Sequence, residues 1–295
     1  MNEFRPRQFS LLPIAVKNIL IINGLMLFAT FVFNNVYHID LNDYLGLFFP
    51  KSPHFRPWQL VTHMFMHGSF MHLFSNMLAF YMFGSVLENY WGTRRFVIFY
   101  LLTGVGAALC YLSVMWFNAH QTEVLVQHFL SHPTPSGLRD LLFTHHLLDY
   151  MRLDPDYIVG ELIQPWESFP RSSHYANEAV EIMRNYQQNM YTLQNAQSLD
   201  LFDTRFATNL VGASGAVFGV LFAFGYLFPN TIIYFQFFIP IKAKYFVMIY
   251  GALELYAMWQ NNPNDNVAHL AHLGGMLFAF ILIRIWNRRI KNNLF

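Results

Sequence analysis

The chain has 295 residues, of which 55% are hydrophobic and only 12% charged, and its mean hydropathy is +0.28. A water-soluble domain carries roughly 25% charged residues and could not cover itself with so few. A net charge of +1 and a lone cysteine, Cys110, exclude a nucleic-acid partner and a disulfide scaffold, and the apolar content excludes a disordered chain. What remains is an all-α polytopic membrane protein.

Six segments approach the ~20 apolar residues that a spanning helix needs. The first, 14–36, follows MNEFRPRQF; it is too long for a signal-peptide core and lacks a small-residue cleavage site, so it reads as a retained helix. The second, 60–87, follows a loop containing Pro50, Pro53 and Pro57, and the third, 96–117, follows the charged turn Glu88–Arg95. A hydrophilic block at 118–205 then holds five Arg and eleven acidic residues, 16 of the 35 charged residues in the chain. It is expected to be mainly helical. Leu138–Met151 places Leu141, Leu142, His145, Leu148 and Met151 at helical spacing, and Ser173–Gln197 is opened by Pro170 and a Ser172/Ser173 cap. The adjacent His145 and His146 point in different directions and read as a solvated surface. The fourth segment, 206–228, is closed by Pro229 and Asn230. A short apolar stretch, Thr231–Ile241, is interrupted by Pro240 and is expected at the interface; the fifth and sixth segments are 245–260 and 267–286.

Lys and Arg in short loops mark the cytoplasmic side. Six spans with both termini inside put 11 of 18 basic residues there: Arg5, Arg7, Lys17, Arg94, Arg95, Lys242, Lys244, Arg284, Arg288, Arg289 and Lys291. The acidic block at 118–205 is then extracytoplasmic.

Polar residues inside spans are expensive and therefore informative. The second segment carries His67, His72 and Asn76, the fourth Ser214 within VGASGAVFG, and the sixth His269 and His272 within NVAHLAHLGG. These three segments run in the same direction and each motif lies near the segment start, so all three fall in one outer layer. His72 and Asn76, four apart, share a helical face. Gly212, Gly215 and Gly219 surround Ser214; Gly215-x-x-x-Gly219 and Gly275-x-x-x-Ala279 are small-residue faces that let two helices approach. Such an approach would bring Ser214 to His272, whose imidazole can take the hydroxyl proton. Free N–H groups at a helix start, with His72 and Asn76, would receive an oxyanion. Asp265, seven residues before His272, is too far along a helix to orient its ring. Glu254 is expected to be structural or gating, leaving a Ser–His dyad, with His67 and His269 satisfying neighbouring carbonyls.

These motifs, with RPWQLVTHMFMHGSFMHLFSNM and FGSVLE-x-x-WG-x-RRF, resemble the rhomboid intramembrane serine proteases over roughly 56–117 and 206–286. The resemblance implies a six-helix bundle with a water-filled extracytoplasmic cavity, Ser214 as nucleophile, His272 with Gly275 as the His-x-x-Gly base, and His72 and Asn76 as oxyanion donors. It implies no cofactor and no metal. Its partners would be the lipid bilayer and single-span membrane-protein substrates, and its location a bacterial inner membrane. The block at 118–205 looks like an insert found in some bacterial members. Two departures stand out: Trp58 is followed by Gln59 where the family has Arg, and Phe218 stands where Tyr is frequent. Phe218 can still pack on an imidazole. Two alternatives stand beside the protease. One is a His-box metalloenzyme using His63, His67, His269 and His272; the other is a rhomboid-like chaperone or binder that captures without cutting.

Overall fold

The computed structural model describes residues 9–145, 147–150, 154–191, 209–235, 238–260 and 268–292. It comprises two compact units, one formed by residues 1–47, 57–111 and 210–295, the other by 48–56 and 112–209.

In the first unit, α1 (Ile14–Tyr37) is followed by three short helical turns, Asn42–Leu45, Gln59–Thr62 and His63–Phe65, and then α2 (Phe70–Trp91). The second span therefore starts at Phe70, ten residues after the expected 60. The physical reason is local: His63–Phe65 tightens into a 3₁₀ turn, Met66 is extended, and Ser69 caps α2 by accepting from His72 N at 3.1 Å. Helix α3 (Thr93–Ser131) is far longer than the expected 96–117 and passes from the first unit into the second at Leu112.

The second unit contains α4 (Ser173–Asn189), shorter than the expected 173–197; residues 192–197 lie outside the described ones. Ser172 sits at its N-cap position but its side chain makes no capping bond. Ala179, Met183 and Tyr186 form the buried stripe of α4, and the unit also buries Leu138, Leu141, Leu142 and Trp166. Leu138–Met151 is not one helix: a helical turn at Pro135–Arg139 loosens into a π turn at Asp140–Thr144, and a 3₁₀ turn follows at Leu147–Tyr150. His145 is exposed, 3.6 Å from Asp140 Oδ2, whereas His146 and Met151 lie outside the described residues. Lys51 Nζ donates to Glu123 at 2.7 Å, and Tyr191 Oη donates to the same carboxylate at 2.7 Å. Burial and that carboxylate hold the Tyr191 phenol above its ordinary range.

Back in the first unit, α5 (Ser214–Leu227) is short and apolar. The fourth span was expected from 206; residues 206–208 are undescribed and 209–213 are not helical. The stretch expected at the interface is an antiparallel hairpin, β1 (Ile232–Phe235) with β2 (Ile239–Lys242), with Ile233 opposite Ile241. It adds a small sheet to an otherwise helical chain. Then follow α6 (Ala243–Gln260) and α7 (His269–Asn292). Among the described residues, α1, α2, α3 and α7 are long and apolar enough to cross a membrane, and α5 is a shorter apolar helix. α5 packs between α7 and α2. The outward faces keep large apolar side chains, including Leu25, Phe28 and Phe31 of α1 and Leu253, Tyr256 and Trp259 of α6, which is the surface that lipid covers.

One buried acid organises the opposite end. Glu88, 2% exposed near the end of α2, accepts from Ala15 N at 2.9 Å, Val16 N at 2.8 Å and Thr93 Oγ1 at 2.7 Å. Pro13 at the N-cap of α1 offers no side-chain acceptor, so a carboxylate from the neighbouring helix satisfies the orphan donors there. Glu88→Ala should cost ~2–4 kcal/mol through three lost charge-assisted bonds. Thermal unfolding in detergent checks this, and an unchanged melting temperature would refute it.

Candidate active site

The approach to Ser214 is fixed by backbone bonds. Leu210 pairs with Leu47 in both directions, at 2.8 and 2.9 Å, and Gly212 N donates to His63 O at 2.9 Å. Gly212 has φ +130°, a region that glycine tolerates and L side chains rarely adopt. A Cβ there would stand 2.9 Å from His72 Nε2 and 3.6 Å from Ser214 Oγ, so the nucleophile candidate and the α2 imidazole flank one α-carbon. Ser214 is the first residue of α5, and the first helical bond onto the Ala213 cap is from Val217 N, at 2.9 Å. The N–H groups of the first turn therefore have no acceptor within the helix.

The crossing of α5 and α7 is backbone on backbone. A Cβ on Gly275 would overlap the Gly215 carbonyl oxygen, and one on Gly219 would lie 3.1 Å from Gly275 O. Gly275 is three residues beyond His272, so the crossing brings His272 to the start of α5. Phe218, one turn into α5, stacks on the His272 ring with centroids 4.2 Å apart and planes 6° from parallel. The missing phenol of Tyr leaves that stacking intact.

On α2, Asn76 is buried one turn after His72, and its Nδ2 donates to no group among the described residues. His67 is buried, and its ring meets His72 edge-on at 5.0 Å. The Phe65 backbone carbonyl lies close enough to the ring to interact with it. His63 donates from Nδ1 to Gln59 O at 2.8 Å. Trp58 is 55% exposed at the start of the Gln59–Thr62 turn, and no described contact brings it to Ser214. Gln59 is fully buried and donates to Tyr44 O at 3.2 Å, a structural bond.

Sequence reasoning assigned Glu254 to structure or gating rather than to catalysis. Its Oε2 is 2.8 Å from His272 Nδ1 and 2.6 Å from His269 Nδ1. His269 thus meets a carboxylate. Two signals could have found this. Ala243, Val247, Gly251 and Glu254 recur at helical spacing, and the first two are the buried residues of α6, so Glu254 continues the inward face. His269 and His272, three apart, share the facing side of α7. Asp265 lies outside the described residues. Glu254, His269 and His272 also have donor atoms within 4.8 Å of one another, a set able to hold a metal ion, whereas the His63 and His67 pair of the His-box alternative does not join it.

A rhomboid-domain family model matches residues 54–126 and 184–289. The chain belongs to the rhomboid family. Its membership, with the apolar helices, makes it an integral membrane protein. The stretch between the two matched parts, 127–183, falls within the hydrophilic block. This rhomboid is also 26% identical over 247 residues to an uncharacterized mitochondrial rhomboid protein of Schizosaccharomyces pombe, an alignment covering 79% of this chain and 53% of the other. The chain thus spans about half the length of the curated relative it matches. That relative's mitochondrial name gives no support to the bacterial inner membrane expected from the sequence.

Proposed function

We propose that this rhomboid is a serine endopeptidase that cuts single-span membrane proteins in or near their transmembrane segment, with no cofactor. Ser214 Oγ attacks the scissile carbonyl carbon while its proton passes to His272 Nε2. The developing oxyanion is received by His72, Asn76 and the N–H groups at the start of α5. Collapse of the tetrahedral intermediate breaks the C–N bond, and the Nε2 proton goes to the leaving amine. Water then attacks the acyl-enzyme, giving its proton to His272 and returning Ser214 with the proton restored. The observation that carries this reading is the flanking of Gly212 by Ser214 Oγ and His72 Nε2, one turn from the Gly215–Gly275 crossing.

The proposed topology has six spans, both ends on the side rich in Lys and Arg, and the 118–205 insertion on the opposite side with the active site. With 14 residues, α5 is about 20 Å long, some 10 Å less than the hydrocarbon thickness. A helix ending at the cytoplasmic interface therefore begins at Ser214 below the outer surface, where a substrate's transmembrane segment unwinds.

The test is cleavage of a tagged single-span protein by the protein reconstituted in liposomes, with and without a chelator. The protease reading expects two fragments and no chelator effect. Activity abolished by the chelator and restored by zinc would favour the Glu254–His269–His272 metal reading, and stable substrate capture without cleavage would favour the non-cutting binder.

A further inference from the structure

We infer that Glu254 is a positioning residue for the reaction, making a Ser214–His272–Glu254 relay in which His269 holds the carboxylate from its other side. The inference rests on the serine-protease reading above. A carboxylate only accepts hydrogen bonds, so the contacts of Glu254 Oε2 with His272 Nδ1 at 2.8 Å and His269 Nδ1 at 2.6 Å require a proton on both Nδ1 atoms. The consequence for His272 is its tautomer. With the proton on Nδ1, Nε2 carries the lone pair and is free to take the Ser214 proton. The same carboxylate then faces the imidazolium that forms during attack.

Geometry fixes the ring in the remaining directions. Phe218 lies flat on one face of His272, and Glu254 holds the Nδ1 edge, so rotation of the ring breaks a stack and a charge-assisted bond together. The side chains of Glu254, His269 and His272 are 12%, 15% and 9% exposed, so little water competes for these bonds. Among the described residues, the titratable groups facing His272 are Glu254 from α6, His269 from α7 itself and His72 from α2, close enough for electrostatic interaction. Glu254 is the one that carries negative charge. His269 explains why one carboxylate stays aimed: its Nδ1 holds Glu254 Oε2 at 2.6 Å from the other side. The arrangement follows the logic of serine hydrolases on unrelated folds, where an acid orients the base through Nδ1.

Three measurements on the full chain in detergent or liposomes test the relay. In Glu254→Gln, kcat should fall ~10²–10⁴-fold with KM unchanged, as when an orienting acid is neutralised elsewhere. Glu254→Asp keeps the charge and should recover part of the rate, which loss of packing alone would not produce. Glu254→Gln within ~3-fold of wild type would overturn the relay. Ring ¹⁵N spectra of His272 in the unmutated protein give a readout that needs neither cleavage nor a stable variant. A proton on Nδ1 at neutral pH supports the relay, and a proton on Nε2 overturns it. If the unmutated protein cuts nothing, the protease reading fails by itself, while the ¹⁵N spectra still decide whether Glu254 sets the His272 tautomer.

Discussion

Ser214→Ala should lower the cleavage rate of a single-span substrate by ~10⁴–10⁶-fold, or about 5–8 kcal/mol of transition-state stabilisation, with substrate affinity unchanged. The hydroxyl is the only atom removed, and what stays behind is the first turn of α5 with His72 and Asn76 beside it, which still bind the substrate carbonyl. His272→Ala should cost a similar factor, because a serine without a base attacks no better than an absent one. The double variant should be no worse than either single, since nucleophile and base act as one unit. Rates in liposomes measure all three, and reaction of the protein with a fluorophosphonate probe reports the nucleophile without a natural substrate. Ser214→Ala retaining more than ~1% of the rate would remove Ser214 from the mechanism.

The second large effect is steric. Gly275→Ala places a methyl group on the Gly215 carbonyl oxygen. A flexible side chain could move aside, but a helix backbone in mid-crossing can yield only by separating α5 from α7. Overpacking costs ~1–3 kcal/mol even where neighbours can shift, so a loss of ~3 kcal/mol or more is expected, or a melting temperature lower by about 6–12 °C. Activity should fall further than stability, because His272 moves with its helix. Gly24→Ala is the matched control: nothing lies within 4 Å of a Cβ there, and alanine in the middle of α1 should stabilise by ~0.5–1 kcal/mol. Equal melting temperatures for the two variants would show that the α5–α7 approach is looser than described.

Apolar length and small-residue spacing made much of this architecture legible. The start of α1 and the α5–α7 approach through Gly215, Gly219 and Gly275 follow from local pattern. The misreadings share a cause, since each depended on a partner distant in the chain or on a turn inside an apolar run. Residues 60–69 are as apolar as the helix after them, yet Gly68 and the Ser69 cap reset the start of α2 to Phe70. Helix α3 runs past Phe117 because the helix does not need apolar residues to continue, only to be buried. The strands at Ile232–Phe235 and Ile239–Lys242 are too short to show alternation around Pro240. Glu254 was visible as a costly acid, but its role depends on two imidazoles from the neighbouring helix, 15 and 18 residues away. Glu88 is the same case at the other end: nothing near it in sequence reveals that it caps α1.

The backbone contact between Gly215 and Gly275 also bears on how this protein can change over time. Side-chain interfaces drift by compensating swaps of volume, and each swap shifts the groups they carry. An interface made of main chain has no volume to trade, so Ser214 and His272 keep their spacing whatever happens on the outer faces of the same helices. There Leu277, Phe280 and Ile281 are exposed, and one lipid-soluble side chain serves as well as another. A chain built this way can replace most of its residues while the few atoms that react stay where they were.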